Sequence, residues 1–253
     1  MTRARTRERG KKQKLPRGVD DEDEDEDVRE FLLWCQRHHI YVNDEDVTIE
    51  SHASARLANE SALETDEHAR HRCVRAKKDL APGVVVFVIP KNTVVCARNS
   101  SSSTAIRSAS LGGGLALNAS ALAERAKAIA DERRGMKEGK FGGYFKILPR
   151  RGERTLPMFW GEDLRRELRG TELERHLRED DEAFKEDYEQ YIAPIVEAHA
   201  KVFPKELCDI EAFKIVASIA ASRAFYGAFG AKVFSLGDRG LTDARANSRR
   251  LVR

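Results

Sequence analysis

The sequence predicts an α+β fold, a small antiparallel β part beside a mainly helical part. Three stretches carry that prediction. Ile210–Phe225, IEAFKIVASIAASRAF, is dominated by alanine, isoleucine, valine and phenylalanine and contains no Gly or Pro. It reads as a helix buried on most sides. Val84–Ile89 is a β-branched run with Phe87 inside it, opened by the Pro82-Gly83 turn and ended by Pro90. It reads as a buried strand. Phe184, Tyr188, Tyr191, Ile192, Ile195, His199 and Val202 mark a long helical stripe, kinked at Pro194. That stripe reads as core, with His199 packed or capping, and not as a cofactor box.

The remaining elements follow in chain order. Arg3–Arg17 is basic and Asp20–Asp27 is eight consecutive acids, and neither block can bury a core. The basic block suits a nuclear localisation signal, a nucleic-acid contact or a solvated tail attracted to its acidic neighbour. Val28–His39 is an amphipathic helix with Val28, Phe31, Leu32, Cys35 and His39 on one stripe. His38 and His39 are adjacent and point to different sides, which argues against joint metal binding. Residues 43–70 are polar and acidic, with one weak strand at Val47–Ile49. Cys73–Ala97 reads as a β-meander, with Thr93–Ala97 as the strand after Val84–Ile89. Gly112–Gly114 is a flexible joint that lacks the Gly-Lys-Ser/Thr ending of a phosphate loop. Ser120–Arg134 is a helix with Leu122, Ala126, Ile129 and Ala130 inward and Gly135 as its stop. Phe141–Leu148 is a compact aromatic segment. Glu162–Arg169 is a short helix closed by Gly170, and Thr171-x-x-Glu174 is a capping box that opens the next one.

Size and composition bound the class. At 253 residues the chain suits one large domain or two small ones. Hydrophobic residues at 41%, charged residues at 34% and a net charge of +3 suit a soluble globular protein with charged tails. No apolar run approaches the ~20 residues that span a bilayer, and no signal-peptide segment opens the chain. Cys35, Cys73, Cys96 and Cys208 are scattered without metal-ligand spacing. They read as reduced intracellular thiols, mostly buried.

One residue stands out on the buried helix. Val216, Ile219, Ala220 and Arg223 share a face, and an unpaired buried guanidinium costs several kcal/mol. Two answers remain open. Arg223 snorkels to water in the last helical turn, or it grips an anionic ligand with its forked donors.

Four stretches in order carry a resemblance: FLLWCQRHHI, DLAPGVVVFVIPKNTVV, YFKILPRRGERTLPMFWGEDLRRELRGTEL and ASRAF. Together they resemble the protein-lysine methyltransferases with a split SET domain. These are relatives of the plastid enzyme that methylates the Rubisco large subunit, and they include methyltransferases of ribosomal proteins and of a transcription-factor subunit. The resemblance covers residues 28–225. It implies an N-terminal SET segment over 28–104, a helical insert over 105–220 and the return to the SET core over 221–225. Residues 1–27 and 226–253 fall outside it as a charged tail and an irregular tail.

The resemblance implies S-adenosylmethionine as methyl donor and a protein substrate carrying the target lysine. It places Arg223 against the cofactor, and Ser222 and Phe225 along the lysine channel. The family's Gly-x-Gly, where backbone approaches the cofactor closely, falls on His71-Arg72-Cys73 in this chain. The family's Asn-His motif and catalytic tyrosine follow the return. The 28 residues after Phe225 hold no Asn-His, and Tyr226 comes too early. No catalytic residue is therefore identified. The expectation is the N-terminal part of a SET methyltransferase, weak or inactive as this chain, with a strand edge unpaired and apolar surface exposed. The alternative is a non-catalytic protein-interaction module derived from such an enzyme. A monomer in the nucleus is expected. Nucleic-acid binding is set aside, because acids beside Arg3–Arg17 compete with phosphate and no aromatic residues are interleaved for stacking.

Overall fold

The computed structural model describes residues 26–53, 70–149 and 156–224. The basic block, most of the acidic block, Phe225 and the 226–253 tail lie outside them. The described part is α+β, with most of the residues in helices and two small antiparallel pairs.

Helix α1, Glu26–Arg37, starts on acids that favour a helix N-terminus and ends on Arg37. It buries Val28, Trp34 and Cys35. Strand β1, Tyr41–Val42, follows, and β2, Val47–Ala53, pairs antiparallel with β3, Arg70–Ala76, from Val47↔Ala76 to Ala53↔Arg70. Strand β4, Phe87–Val88, pairs with β1 in the register Tyr41↔Val88 and Val42↔Phe87.

The β part departs from the sequence reading in three ways. Cys73–Ala97 is not a meander, because each strand takes a partner from upstream of it. Thr93–Ala97 is not a strand: Lys91–Thr93 forms a 3-10 turn after Pro90, and Asn99 Nδ2 donates to Lys91 O at 2.7 Å and Val94 O at 3.1 Å. Val84–Ile89 is extended but not buried, since Val85 is 56% exposed, Val88 52% and Ile89 50%. Its apolar character is real, and what the described residues lack is a layer to cover it.

The helical part forms the main core. Helices α2, Ser103–Ser108, and α3, Gly113–Arg133, lead into α4, Gly142–Ile147. Gly113 and Gly114 open α3, with Gly112 extended at the cap, so this stretch is a helix start and not a loose joint. Leu122 and Ala126 are fully buried, whereas Ile129 and Ala130 are only half-buried where α3 runs out of the core. Helix α5, Glu162–Arg166, is shorter than expected, and Gly170 turns the chain with φ +76°. Helix α6, Glu172–Asp187, opens on the expected box: Thr171 Oγ1 accepts from Glu174 N at 3.3 Å, and Glu174 Oε2 accepts from Gly170 N at 2.8 Å. The long stripe bends through a π turn, Tyr188–Ile192, into α7, Ala193–Ala198. The turn is where Pro194, with no N–H to give, interrupts the helical ladder. Tyr191 leaves the stripe and is exposed, while Ile192 and Ile195 stay buried.

Helix α8, Ile210–Arg223, is capped by Asp209 Oδ1 accepting from Ala212 N at 2.7 Å. It buries Ala212, Phe213 and every residue from Ile215 to Ile219, and it packs against α3. Phe184 and Tyr188 meet the Phe213 ring from the α6 side. Truncating a side chain such as Phe213 in this position costs about 3–5 kcal/mol.

Candidate functional site

Helix α4 is touched by one of the residues that the sequence singled out, Arg72. Its first turn carries two glycines, Gly142 and Gly143, and a Cβ at Gly143 would run into the Trp34 ring of α1. That close approach lets Tyr144 pack between the main core and the small cluster of Trp34, Cys35 and Ile40. Trp34 Nε1 donates to Lys140 O at 3.2 Å and closes the contact.

One of the expected site residues bonds to α4, and another acts on it through its charge. Arg72, in β3, donates through Nη1 to Ile147 O at 3.0 Å and pairs through Nη2 with Asp27 Oδ2 at 2.6 Å. Its side chain is only 10% exposed. Arg223, at the end of α8, acts on Tyr144 through its charge. Burial pushes the Tyr144 phenol above its ordinary value, and the nearby Arg223 cation pulls it part of the way back.

The other expected residues are spread over strand and helix end. Cys73 is exposed and lies opposite Glu50 in the β2–β3 ladder. His71 lies opposite His52 in the same ladder. Ser222 and Arg223 are exposed. The Ser222 hydroxyl lies 3.1 Å from Ser218 O and 3.0 Å from Ile219 O, and it accepts from Arg223 Nη1 at 2.8 Å. Of the two answers for Arg223, solvent exposure at the last turn is the one the geometry shows. Phe225 lies outside the described residues.

S-adenosylmethionine can be tested against this geometry. The Arg72 guanidinium is spent on Asp27 and Ile147 and is not presented to a ligand. The backbone of His71, Arg72 and Cys73 is held in an antiparallel ladder. Arg223 offers exposed donors. The described residues therefore do not by themselves make a cradle for that cofactor. A cleft of about 100 Å³ opens between α3 and α4, lined in part by Asp131, Glu138 and Lys146. It falls below the ~300 Å³ at which small-molecule sites begin. Two of its three acids are already paired, Asp131 with Lys127 and Glu138 with Arg37, both at 2.5 Å. Among the described residues no group of His, Cys, Asp and Glu could hold a metal ion. None of the described helices is long and apolar enough to cross a membrane.

Sequence reasoning missed Tyr144 and the Asp27–Arg72–Ile147 clasp. The signal for Tyr144 was present in Gly142-Gly143. Paired glycines opening a helix mark a close approach by another element.

Comparison with known proteins adds one relative. Over 211 residues the chain is 23% identical to N-lysine methyltransferase SETD6 of Bos taurus. The chain is similar to a protein-lysine methyltransferase. The match takes in 83% of this chain and 42% of that protein, so the chain spans less than half the length of its relative. No family model matches the chain. The similarity supports the SET methyltransferase family that the four ordered stretches suggested.

Proposed function

We propose that the chain carries part of a SET-type protein-lysine N-methyltransferase, in the group related to the Rubisco and ribosomal-protein enzymes. Its class of reaction moves a methyl group from S-adenosylmethionine to a lysine of a protein substrate. The 211-residue similarity to an N-lysine methyltransferase carries this reading. In such a site, positioning and the exclusion of water supply most of the catalysis, and side chains do little covalent work. In this reading Arg223 faces the cofactor, Ser222 and Phe225 border the lysine channel, and no methyl-transfer step is assigned to the described residues.

Because Arg72 is already engaged and 71–73 lies in a ladder, we take this chain to bind the cofactor weakly and to transfer methyl groups slowly or not at all. The same observation favours a second reading, a non-catalytic module that binds the family's protein partner without modifying it. The basic block Arg3–Arg17 is taken to give a nuclear destination.

Calorimetric titration of S-adenosylmethionine into residues 1–253, with Arg223→Ala in parallel, tests the proposal. Weak binding that Arg223→Ala removes is expected, with a dissociation constant near 1 mM, or about −4 kcal/mol. Micromolar binding, or methyl transfer to a protein lysine by the purified chain, would show that the site is assembled. Binding indifferent to Arg223, or none at all, would leave the interaction module.

A further inference from the structure

The Ser-rich loop before α2 divides its hydroxyls into buried and exposed ones. Ser100 and Ser102 are buried. Ser100 Oγ donates to Glu124 Oε1 on α3 at 3.0 Å, so the 2.7 Å contact between the two hydroxyls takes its proton from Ser102. The Ser101 amide donates to the same carboxylate oxygen at 2.5 Å. Glu124 is 5% exposed, and no salt bridge neutralises it among the described residues. A buried carboxylate thus clips this loop to the helical core through hydrogen bonds from uncharged donors.

The Ser101 side chain is the opposite case. The residue is exposed, and its hydroxyl makes no hydrogen bond among the described residues. Three residues before it, Arg98 is exposed and forms no ion pair among them. Cys96 O accepts from the amides of Asn99 and Ser100, so Arg98 stands on the outside of a tight turn. A free cation three residues before a free hydroxyl is the charge pattern by which basophilic protein kinases choose a serine. The same spacing occurs at Arg107–Ser110 and Arg245–Ser248. Arg107 Nε turns back onto Ser103 O at 3.4 Å, and Ser110 is held at φ +53°. Ser248 lies outside the described residues.

We propose that Ser101 is a phosphoacceptor for a protein kinase that reads Arg98, and that its phosphate releases residues 99–102 from Glu124. The Ser101 oxygen attacks the γ-phosphorus of ATP. The new P–O bond forms as the bond to ADP breaks, and the hydroxyl proton passes to the kinase's catalytic carboxylate. The product carries about two negative charges on a residue whose amide already touches Glu124. They fall within about one Debye length of that carboxylate, about 8 Å at physiological salt, so the repulsion is incompletely screened. Asn99 belongs to the same loop, and its side chain holds Lys91 O and Val94 O, so the release reaches the turn that follows β4. The proposal does not rest on methyl transfer.

Treating the full chain with the catalytic subunit of cAMP-dependent protein kinase and MgATP, with mapping by mass spectrometry, tests the site. Ser101 should be phosphorylated, and Arg98→Ala, which changes an exposed side chain, should slow this at least tenfold. No phosphate on Ser101, phosphate on Ser110 or Ser248 in its place, or an unchanged rate in Arg98→Ala would overturn the proposal. Hydrogen exchange tests the release. In the phosphorylated chain the Ser101 and Ser102 amides should exchange at least tenfold faster, while those of α8 keep their protection. Glu124→Gln keeps an acceptor and removes the charge, and protected α8 amides report that it folds. In that variant phosphorylation should speed the same amides less than threefold. Unchanged exchange in the phosphorylated wild type, or an equal gain in Glu124→Gln, would also overturn the proposal.

Discussion

Replacing Gly143 by alanine tests the contact on which α4 depends. A Cβ there would overlap Cγ, Cβ and Cδ1 of Trp34. The Trp34 ring is 2% exposed and has nowhere to retreat. Overpacking of this kind costs about 1–3 kcal/mol. Alanine regains about 0.5–1 kcal/mol over glycine within a helix, so the net loss is about 0–2.5 kcal/mol, with about 1 kcal/mol at the centre of the range. At about 2–4 °C per kcal/mol for a chain of this size, the thermal midpoint should fall by about 2–4 °C at that centre and by no more than about 10 °C. Gly114→Ala is the control, because a Cβ there meets nothing within 4 Å. It should be neutral or slightly stabilising. The decisive assay is a double-mutant cycle by urea unfolding. Trp34→Ala alone should cost about 3–5 kcal/mol, and Gly143→Ala should cost less in that background, where only the Cβ of residue 34 is left for it to meet. An equal penalty with and without the Trp34 ring would refute the reasoning, because the cost would then not arise from the ring.

Three further outcomes follow from the same geometry. Thr171→Ala removes the oxygen that accepts from Glu174 N, and it should cost about 1 kcal/mol in chemical denaturation. Burial opposes ionisation of Asp181, but hydrogen bonds from Arg165 and Lys214 outweigh it and hold the carboxyl below its ordinary value. A depressed folded value means stability that is present above the unfolded value of about 4 and lost as pH falls through the folded one. Unfolding followed below pH 4 should show that loss in the wild type and a flatter profile in Asp181→Asn. Thiol labelling should find one fast cysteine, exposed Cys73, and three slow ones. Burial pushes the Cys35 thiol up to about 11 and that of Cys208 up to about 12, and both should react only after denaturation.

The helices were legible because their signals are local. Ile210–Phe225 is rich in apolar residues and holds no Gly or Pro, and α8 spans Ile210–Arg223. Thr171 and Glu174 stand three apart, and the Thr171 cap forms as read, while the Glu174 carboxylate turns to Gly170 N instead of Thr171 N. The strands were legible in type but not in pairing. Val84–Ile89 looks like a buried strand because burial was inferred from composition, and composition does not say whether a covering layer exists. The weak Val47–Ile49 signal became the start of the longest ladder because its partner, β3, lies beyond residue 69. The candidate site was the least legible part. Arg72 finds Asp27 across 45 residues and Ile147 across 75, and no spacing rule reaches that far. Arg223 was singled out correctly as an oddity on an apolar face. Its neighbour Tyr144 depends on how α4 docks, which two glycines only hint at.

Strand alternation sharpens the question of why this chain should bind the cofactor poorly. Arg72 points into the fold toward Asp27 and Ile147, whereas Cys73, the next residue, is exposed on the other face. The side chain at the second glycine position therefore fills no space in the described core. Cys73→Gly should then cost the fold little, on the order of 1 kcal/mol for a glycine within a strand. If side chains at 71 and 73 bar S-adenosylmethionine, the double variant His71→Gly/Cys73→Gly should bind it at least tenfold more tightly than the wild type by calorimetry. That gain should vanish when Arg223→Ala is added. An unchanged affinity would locate the obstacle in the backbone instead, because the β2–β3 ladder would still occupy the groups that an open glycine stretch leaves free. The two outcomes separate a site blocked by two side chains from a strand that has no site to unblock.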